Sequence, residues 1–160
     1  MADYTYCAVE IGGKIPADVL DELIEAAEND GIDTIDPFEY PDKGGRDVRE
    51  TFEEAQRRNT YVSMSASEVS GGYCDEIAAL CKAHGIPYRQ TSAEKYDIPN
   101  EIEWFDGEVT RQCPATSSHA PAIEVSDLKT ALETGVSLEK LYATHRGFLD
   151  ALPPVEIIST

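Results

Sequence analysis

Between Lys14 and Lys43 the chain carries ten Asp and Glu residues and no Lys or Arg. Any element built there must keep its carboxylates in water, because a buried, unpaired carboxylate is strongly disfavoured. The stretch opens with a helix signal. Pro16 fits a first helical turn, where its missing N–H costs nothing, and Gly31 supplies a stop. At about 100° per residue, Asp18, Asp21, Glu22, Glu25 and Glu28 fall within an arc of about 120°. Leu20, Leu23, Ile24 and Ala27 fall opposite them. The spacing predicts a helix to about Asn29 with one apolar side and one side of carboxylates.

The whole chain shares this bias. Its 160 residues hold 31 acids and 13 bases, for a net charge of −18. Residues 1–59 hold 16 acids and 6 bases, residues 60–115 hold 9 and 4, and residues 116–160 hold 6 and 3. Direct binding of nucleic acid or anionic lipid is disfavoured, because phosphate contact needs clustered Lys and Arg. A hydrophobic content of 41% is too high for a disordered chain. No run of about 18 apolar residues is long enough to span a bilayer. The start MADYTYC lacks the basic and apolar regions of a secretory signal, and the cysteines, which read as reduced thiols, set the expectation of a cytoplasmic protein.

Residues 3–11 read as a strand closed by Gly12-Gly13. Residues 30–45, with Pro37, Pro41, Gly44 and Gly45, read as an acidic extended loop. A helix over 46–58 has an apolar stripe of Val48, Phe52 and Ala55, with Glu53–Arg57 and Glu54–Arg58 at favourable spacing. Residues 60–66 alternate as a strand with Val62, Met64 and Ala66 on one face. A helix then runs to His84 with Gly85 beyond its end, followed by a strand over 86–91. Residues 100–113 read as a hairpin on a two-residue Asp106-Gly107 turn. That pairing puts Ile102, Trp104, Val109 and Arg111 on one face and Glu101, Glu103, Phe105 and Glu108 on the other. Residues 114–121 read as a flexible loop, and 122–125 as a short strand. Ser126 is the expected cap of a helix to Glu133. Ser137 is the expected cap of a last helix with Leu138, Leu141, Tyr142, His145, Phe148 and Leu149 at core spacing. Residues 155–158 read as an edge strand.

The pattern predicts an α+β fold. A single compact domain over 1–160 has a mainly antiparallel sheet of four to six strands with helices packed on it. A weak repeat, DELIEAAENDGI at 21–32 and DEIAALCKAHGI at 75–86, points to two related β-α units.

Few residues suggest catalysis. Cys7, Cys74, Cys81 and Cys113 form no Cys-x-x-Cys pair, and Cys74 and Cys81 lie about 10.5 Å apart on a helix, beyond disulfide reach. They read as reduced core thiols. Ser70-Gly71-Gly72 matches no phosphate-binding fingerprint. Asp30, Asp33, Asp36, Glu39 and Asp42 recur every third residue without the order of a calcium loop, which leaves only weak divalent-cation binding. His84 suits a helix C-terminus and His145 a core stripe. A Cys113–His119 pair lacks an orienting third group. No catalytic residue, metal or cofactor is assigned.

Charge density carries the functional expectation. Five carboxylates over about 15 Å of helix give one per roughly 4 Å, close to the roughly 3.4 Å phosphate spacing of a DNA strand. Asp33, Asp36 and Glu39, with Glu101 and Glu103 on the hairpin, extend the surface. The expected partner is a basic nucleic-acid-handling protein whose binding site this surface occupies, as a DNA-mimic inhibitor of phage or mobile-element type would. Three alternatives stand beside it. One is a small enzyme using Cys113 or His119 beneath a merely solubilising surface. Another is an ordinary solvated surface with no partner, acidic only for solubility or for adaptation to high salt. The third is an assembly subunit joined through 137–150 and 155–158.

Overall fold

A computed structural model of the chain describes residues 4–36, 47–95 and 97–159. Strand β1 (Tyr4–Ile11) alternates strictly, with Thr5, Cys7, Val9 and Ile11 buried. A short strand β2 (Gly13–Pro16) leads into helix α1 (Ala17–Asn29). Strand β3 (Thr34–Asp36), helix α2 (Val48–Arg57), strand β4 (Val62–Ser70), helix α3 (Asp75–His84) and strand β5 (Tyr88–Ser92) follow. The hairpin β6 (Glu101–Phe105) and β7 (Thr110–Pro114) comes next. Helices α4 (Val125–Glu133) and α5 (Leu138–His145), a 3₁₀ turn at Arg146–Phe148 and strand β8 (Val155–Ile158) complete the described chain.

The main sheet has six strands in the order β3-β4-β1-β5-β6-β7, every neighbouring pair antiparallel. The α+β expectation stands. Strand β4 sits between β3 and β1, and β1 between β4 and β5, so β1-α1-β3 and β4-α3-β5 are two interlocked split β-α-β units. The two repeated sequence segments fall on α1 and α3, equivalent places in those units. Both end alike. The Ile32 N–H donates to the Ala27 carbonyl and the Ile86 N–H to the Cys81 carbonyl, each at 2.9 Å. Gly31 and Gly85 hold the left-handed turn with φ of 75° and 65°. The shared Gly-Ile pair is one helix stop used twice.

The core lies between the helices and one face of the sheet. Helix α1 contributes Val19, Leu20, Leu23, Ala26 and Ala27, α2 contributes Phe52 and Ala55, and α3 contributes Ile77, Ala78 and Cys81. They meet Cys7, Val9, Ile11, Val62, Met64 and Tyr88 of the sheet. Each fully buried large side chain stabilises the fold by about 1.5–3 kcal/mol. Gly12 backs so closely onto Pro153 that a Cβ there would overlap its carbonyl oxygen.

Several expectations are corrected. Residues 34–36 form an edge strand inside the expected 30–45 loop; the rest of that loop, including Glu39, lies outside the described residues. Strand β4 continues past Ala66 because it bulges. Thr5 faces Val69 and Cys7 faces Ala66, so Ser67 and Glu68 together oppose Tyr6. The extra residue resets the alternation and turns Val69 inward. The hairpin pairs Phe105 with Thr110, so its loop holds four residues, 106–109. The Asp106 carboxylate accepts the Glu108 and Val109 N–H groups at 2.9 and 2.8 Å, which sets this wider turn. A shift of two residues keeps every strand side chain on its expected face. Loop 114–121 is a tight turn, closed by Thr116 N–H to the Ala120 carbonyl and Ala122 N–H to the Pro114 carbonyl, both 2.8 Å. Val125 starts a helix instead of ending a strand, and Glu124 rather than Ser126 stands at its N-cap.

The largest departure is the last helix. Helix α5 buries no residue, and α4 buries only Ala131. Leu138, Tyr142 and Leu149 are exposed, while Phe148 alone reaches a core. That second, smaller core lies on the opposite face of the sheet, where Phe148 packs on Ile102, Cys113 and the edge of Trp104. Helical spacing identifies an apolar side but does not say what covers it.

Candidate functional site

Helix α1 runs beside both α2 and α3 in one layer over the sheet. Its apolar residues are anchored below, so Asp18, Asp21, Glu22, Glu25 and Glu28 all emerge on the solvent side. The five carboxylates share one face as their spacing predicts. Asp21 is bound by Arg49 of α2. Asp18, Glu22, Glu25 and Glu28 make no ion pair among the described residues.

The arrangement opposes local helix physics. Pairs such as Asp18–Glu22, Asp21–Glu25 and Glu25–Glu28 place like charges three or four residues apart, which destabilises a helix by a few tenths of a kcal/mol each. The last turn of α1 carries no basic residue, although a cation there would favour the helix dipole. Helix α3 follows the ordinary rule, with Asp75 and Glu76 in its first turn and Lys82 and His84 in its last.

Three further exposed carboxylates, left out of the expected surface, stand on the two neighbouring helices: Glu50 and Glu53 on α2, and Glu76 on α3, which accepts the Asn29 amide of α1 at 2.8 Å. Helix α2 was expected to neutralise itself through Glu53–Arg57 and Glu54–Arg58. The Glu54–Arg58 pair forms, at 2.5 Å, but Arg57 also turns to the buried Glu54, at 2.7 Å, in place of Glu53, which stays outside that cluster. The available signal was the i,i+3 spacing of Glu50 and Glu53 opposite Phe52 and Ala55.

The other expected contributors divide. The Asp33 carboxylate accepts the Ser67 N–H of the bulge at 3.0 Å, which holds its pKa below the ordinary value. Its group is exposed but committed to the fold. Asp36 lies in β3. Glu101 is half-buried and accepts the Tyr73 hydroxyl at 2.7 Å. Glu103 is corrected outright: it is only 8% exposed. It accepts Tyr88 Oη, Gln90 Nε2 at 3.1 Å and Gln112 Nε2 at 3.3 Å, with Lys82 Nζ at 3.3 Å. Phe105 on the same strand face was the sign that this face turns inward.

The enzyme alternative gains no pair. Cys113 is buried beside Ile102 and Phe148, and burial pushes its thiol pKa up, the reverse of nucleophile activation. The His119 ring lies against Tyr6, centroids 6.0 Å apart. No hydrogen bond joins Cys113 to His119 among the described residues. Cys7, Cys74, Cys81 and Cys113 are all free and buried, as core thiols should be. Among the described residues no three His, Cys, Asp or Glu side chains are placed to hold a metal ion. No helix among them is long and apolar enough to cross a membrane. Compared with known protein families, characterised proteins and solved structures, the chain matches none.

Proposed function

We propose that this protein is a binding protein whose acidic α1 face occupies the basic, polynucleotide-holding site of a partner. One observation carries the reading: α1 keeps five like charges on a single exposed face against its own helical preference. Violations of local rules concentrate where function requires them. Asp18, Glu22, Glu25 and Glu28 form the centre, with Glu50 and Glu53 of α2 and Glu76 of α3 on the neighbouring helices. Over about 15 Å of helix the charges follow one another at roughly the interval of backbone phosphates. A basic groove would be drawn to this face from a distance and held in competition with nucleic acid.

The test uses host proteins retained on immobilised DNA. Adding the wild-type chain should release a defined protein, and a variant with Asp18→Lys, Glu22→Lys and Glu25→Lys should release none. All three positions point away from the core, and the variant should keep the fold: the pairs 18/21, 21/25 and 25/28 become attractive, which offsets the like-charge pairs that remain at 18/22 and 22/25 and the cation introduced in the first turn. Equal release by the triple variant overturns the proposal.

A second reading concerns the C-terminal helices. Seven of the ten exposed large hydrophobics of the described chain lie in 123–149: Ile123, Val125, Leu128, Leu132, Leu138, Tyr142 and Leu149. Helices of nine and eight residues are marginal unless their apolar sides are covered. The segment holds four acids and three bases, so it is the place where two copies of a strongly acidic chain meet with little repulsion. A second copy of the chain is the proposed cover. Strand β8, expected to share this contact, is instead paired with β2 within the body. Sedimentation equilibrium should give a dimer that Leu132→Glu with Leu138→Glu converts to monomer; a wild-type monomer at about 100 μM removes this reading.

A further inference from the structure

The face of the sheet away from α1 holds a cavity of about 270 Å³ between the strands and the C-terminal cover. Small side chains make its floor: Ala8 on β1, Ser63 on β4 and Thr91 on β5. Tyr6 and His119 form one wall, and Ile102 and Phe148 another. One end is polar. Arg89 Nε donates to Glu10 Oε2 at 2.5 Å. Arg89 Nη1 donates to the carbonyls of Gly147, Phe148 and Asp150 at 3.3, 2.9 and 3.0 Å. The guanidinium is thereby fixed between the sheet and the 3₁₀ turn.

Arg89 Nη2 has no partner among the described residues, yet no side-chain nitrogen there is both fully buried and unpaired. Nη2 therefore meets solvent, and the cavity is what Arg89 lines. Glu10 beside it offers an acceptor. The Tyr61 hydroxyl is next to Glu10, and burial with that carboxylate's charge raises its pKa, so it stays a neutral donor. His119 is held at φ 61°, in the left-handed region that a non-glycine residue seldom adopts. The turn that holds it there brings its ring to the Tyr6 wall.

We propose that this cavity binds a small, uncharged nucleoside through its planar base. The volume suits a molecule of that size and excludes a large ligand. The neighbouring donor and acceptor of Arg89 and Glu10 match the paired acceptor and donor on the edge of a base. Tyr6 and His119 provide the stacking surface, and Ser63 and Thr91 add hydroxyls along the floor. A phosphate-like anion is disfavoured, because Glu10 and three carbonyls already balance Arg89. The site is independent of the acidic helical face, which lies across the sheet.

The experiment is a titration of the intact chain with adenosine, guanosine, cytidine, uridine and, separately, inorganic phosphate, followed by backbone amide NMR. At least one nucleoside should saturate below about 1 mM, with shifts centred on Ala8, Ser63, Thr91 and His119. Tyr6→Ala, which removes an exposed stacking ring, should weaken that binding about tenfold or more. Ala8→Leu, which fills the floor, should abolish it. Thr91→Val keeps the side-chain volume and so folds even where Ala8→Leu does not; it should weaken binding several-fold. The proposal is overturned if no nucleoside saturates, if phosphate alone shifts these amides, or if Tyr6→Ala and Thr91→Val bind as wild type.

Discussion

Replacing Glu103 separates an interior role from a surface one. Its carboxylate accepts from Tyr88 and Gln90, which are 0% and 2% exposed, and from the outer groups Lys82 and Gln112. In Glu103→Leu the Lys82 ammonium and Gln112 amide turn to water. The Tyr88 hydroxyl and Gln90 amide cannot, and each orphaned donor costs about 1–3 kcal/mol. The new apolar side chain returns about 1.5–3 kcal/mol of burial. The net is a loss of about 2 kcal/mol out of the roughly 5–15 kcal/mol that holds a domain of this size together. With a urea slope of about 2 kcal/mol per M, the unfolding midpoint falls by about 1 M at unchanged slope. Glu103→Gln keeps an acceptor and should lose only about 1 kcal/mol, chiefly through the donor-to-donor contact it creates with Gln112. Glu22→Gln on α1 should change the stability by less than about 0.5 kcal/mol in either direction. A Glu103→Leu chain as stable as wild type would refute the reasoning, since the two donors would then have found partners elsewhere.

Three shorter predictions accompany it. The Val109 and Glu108 N–H groups and Arg111 hold Asp106 at a pKa of about 2, against an ordinary 3.8. A depressed carboxyl stabilises the fold above its unfolded value, and that contribution fades as pH falls through the folded one. The stability gap between wild type and Asp106→Asn should therefore be full at neutral pH and close between about pH 4 and pH 2 in urea titrations. Asp30→Ala should cost about 1 kcal/mol in urea unfolding, because the Asp30 carboxylate accepts the Glu76 and Ile77 N–H groups at the start of α3. Gly147→Ala should quench or shift Trp104 fluorescence and loosen the C-terminal cover, as a Cβ there would overlap three carbons of the indole; an unchanged spectrum and melting curve would count against that packing.

The elements were legible where one local rule acted alone. The α1 amphipathicity, the Gly-Ile helix stops and the Val62-Met64-Ala66 alternation need nothing beyond their own segment. Tertiary partners decided the rest. Helix α3 has Cys74 at its N-cap with no side-chain bond, and its first N–H groups are capped by Asp30, 46 and 47 residues earlier in the chain. The β4 bulge leaves an N–H that only Asp33 of the neighbouring segment satisfies. For Glu103, parity on the strand was correct and the sidedness was not. Phe105 marks the inward face, but the partners that let a carboxylate sit there, Tyr88, Gln90 and Lys82, come from other elements. The sheet-face cavity was invisible for a related reason: Ala8, Ser63 and Thr91 are ordinary outward residues on three strands, and only the sheet order makes them one floor.

The distribution of charge bears on why the chain is acidic at all. A surface adapted only for solubility or high salt gains from carboxylates wherever water is met. Here the C-terminal helices are well exposed, yet segment 123–149 keeps acids and bases nearly balanced. Helix α1, equally exposed along its outer side, has five acids and no base. The cost of crowding is highest there, since neighbouring turns repel and the last turn faces the wrong end of the dipole. Spreading the same charges over α4 and α5 would serve hydration as well and strain α1 less. Concentration on α1 therefore favours a surface shaped to be met by an array of positive charge. Its proper control moves charge without removing it: Glu22→Gln and Glu25→Gln on α1 combined with Thr130→Glu and Thr144→Glu on the C-terminal helices keep the net charge. Solubility and salt tolerance should be unchanged while release of proteins from immobilised DNA is lost; release that follows net charge alone would instead show that the pattern on α1 is immaterial.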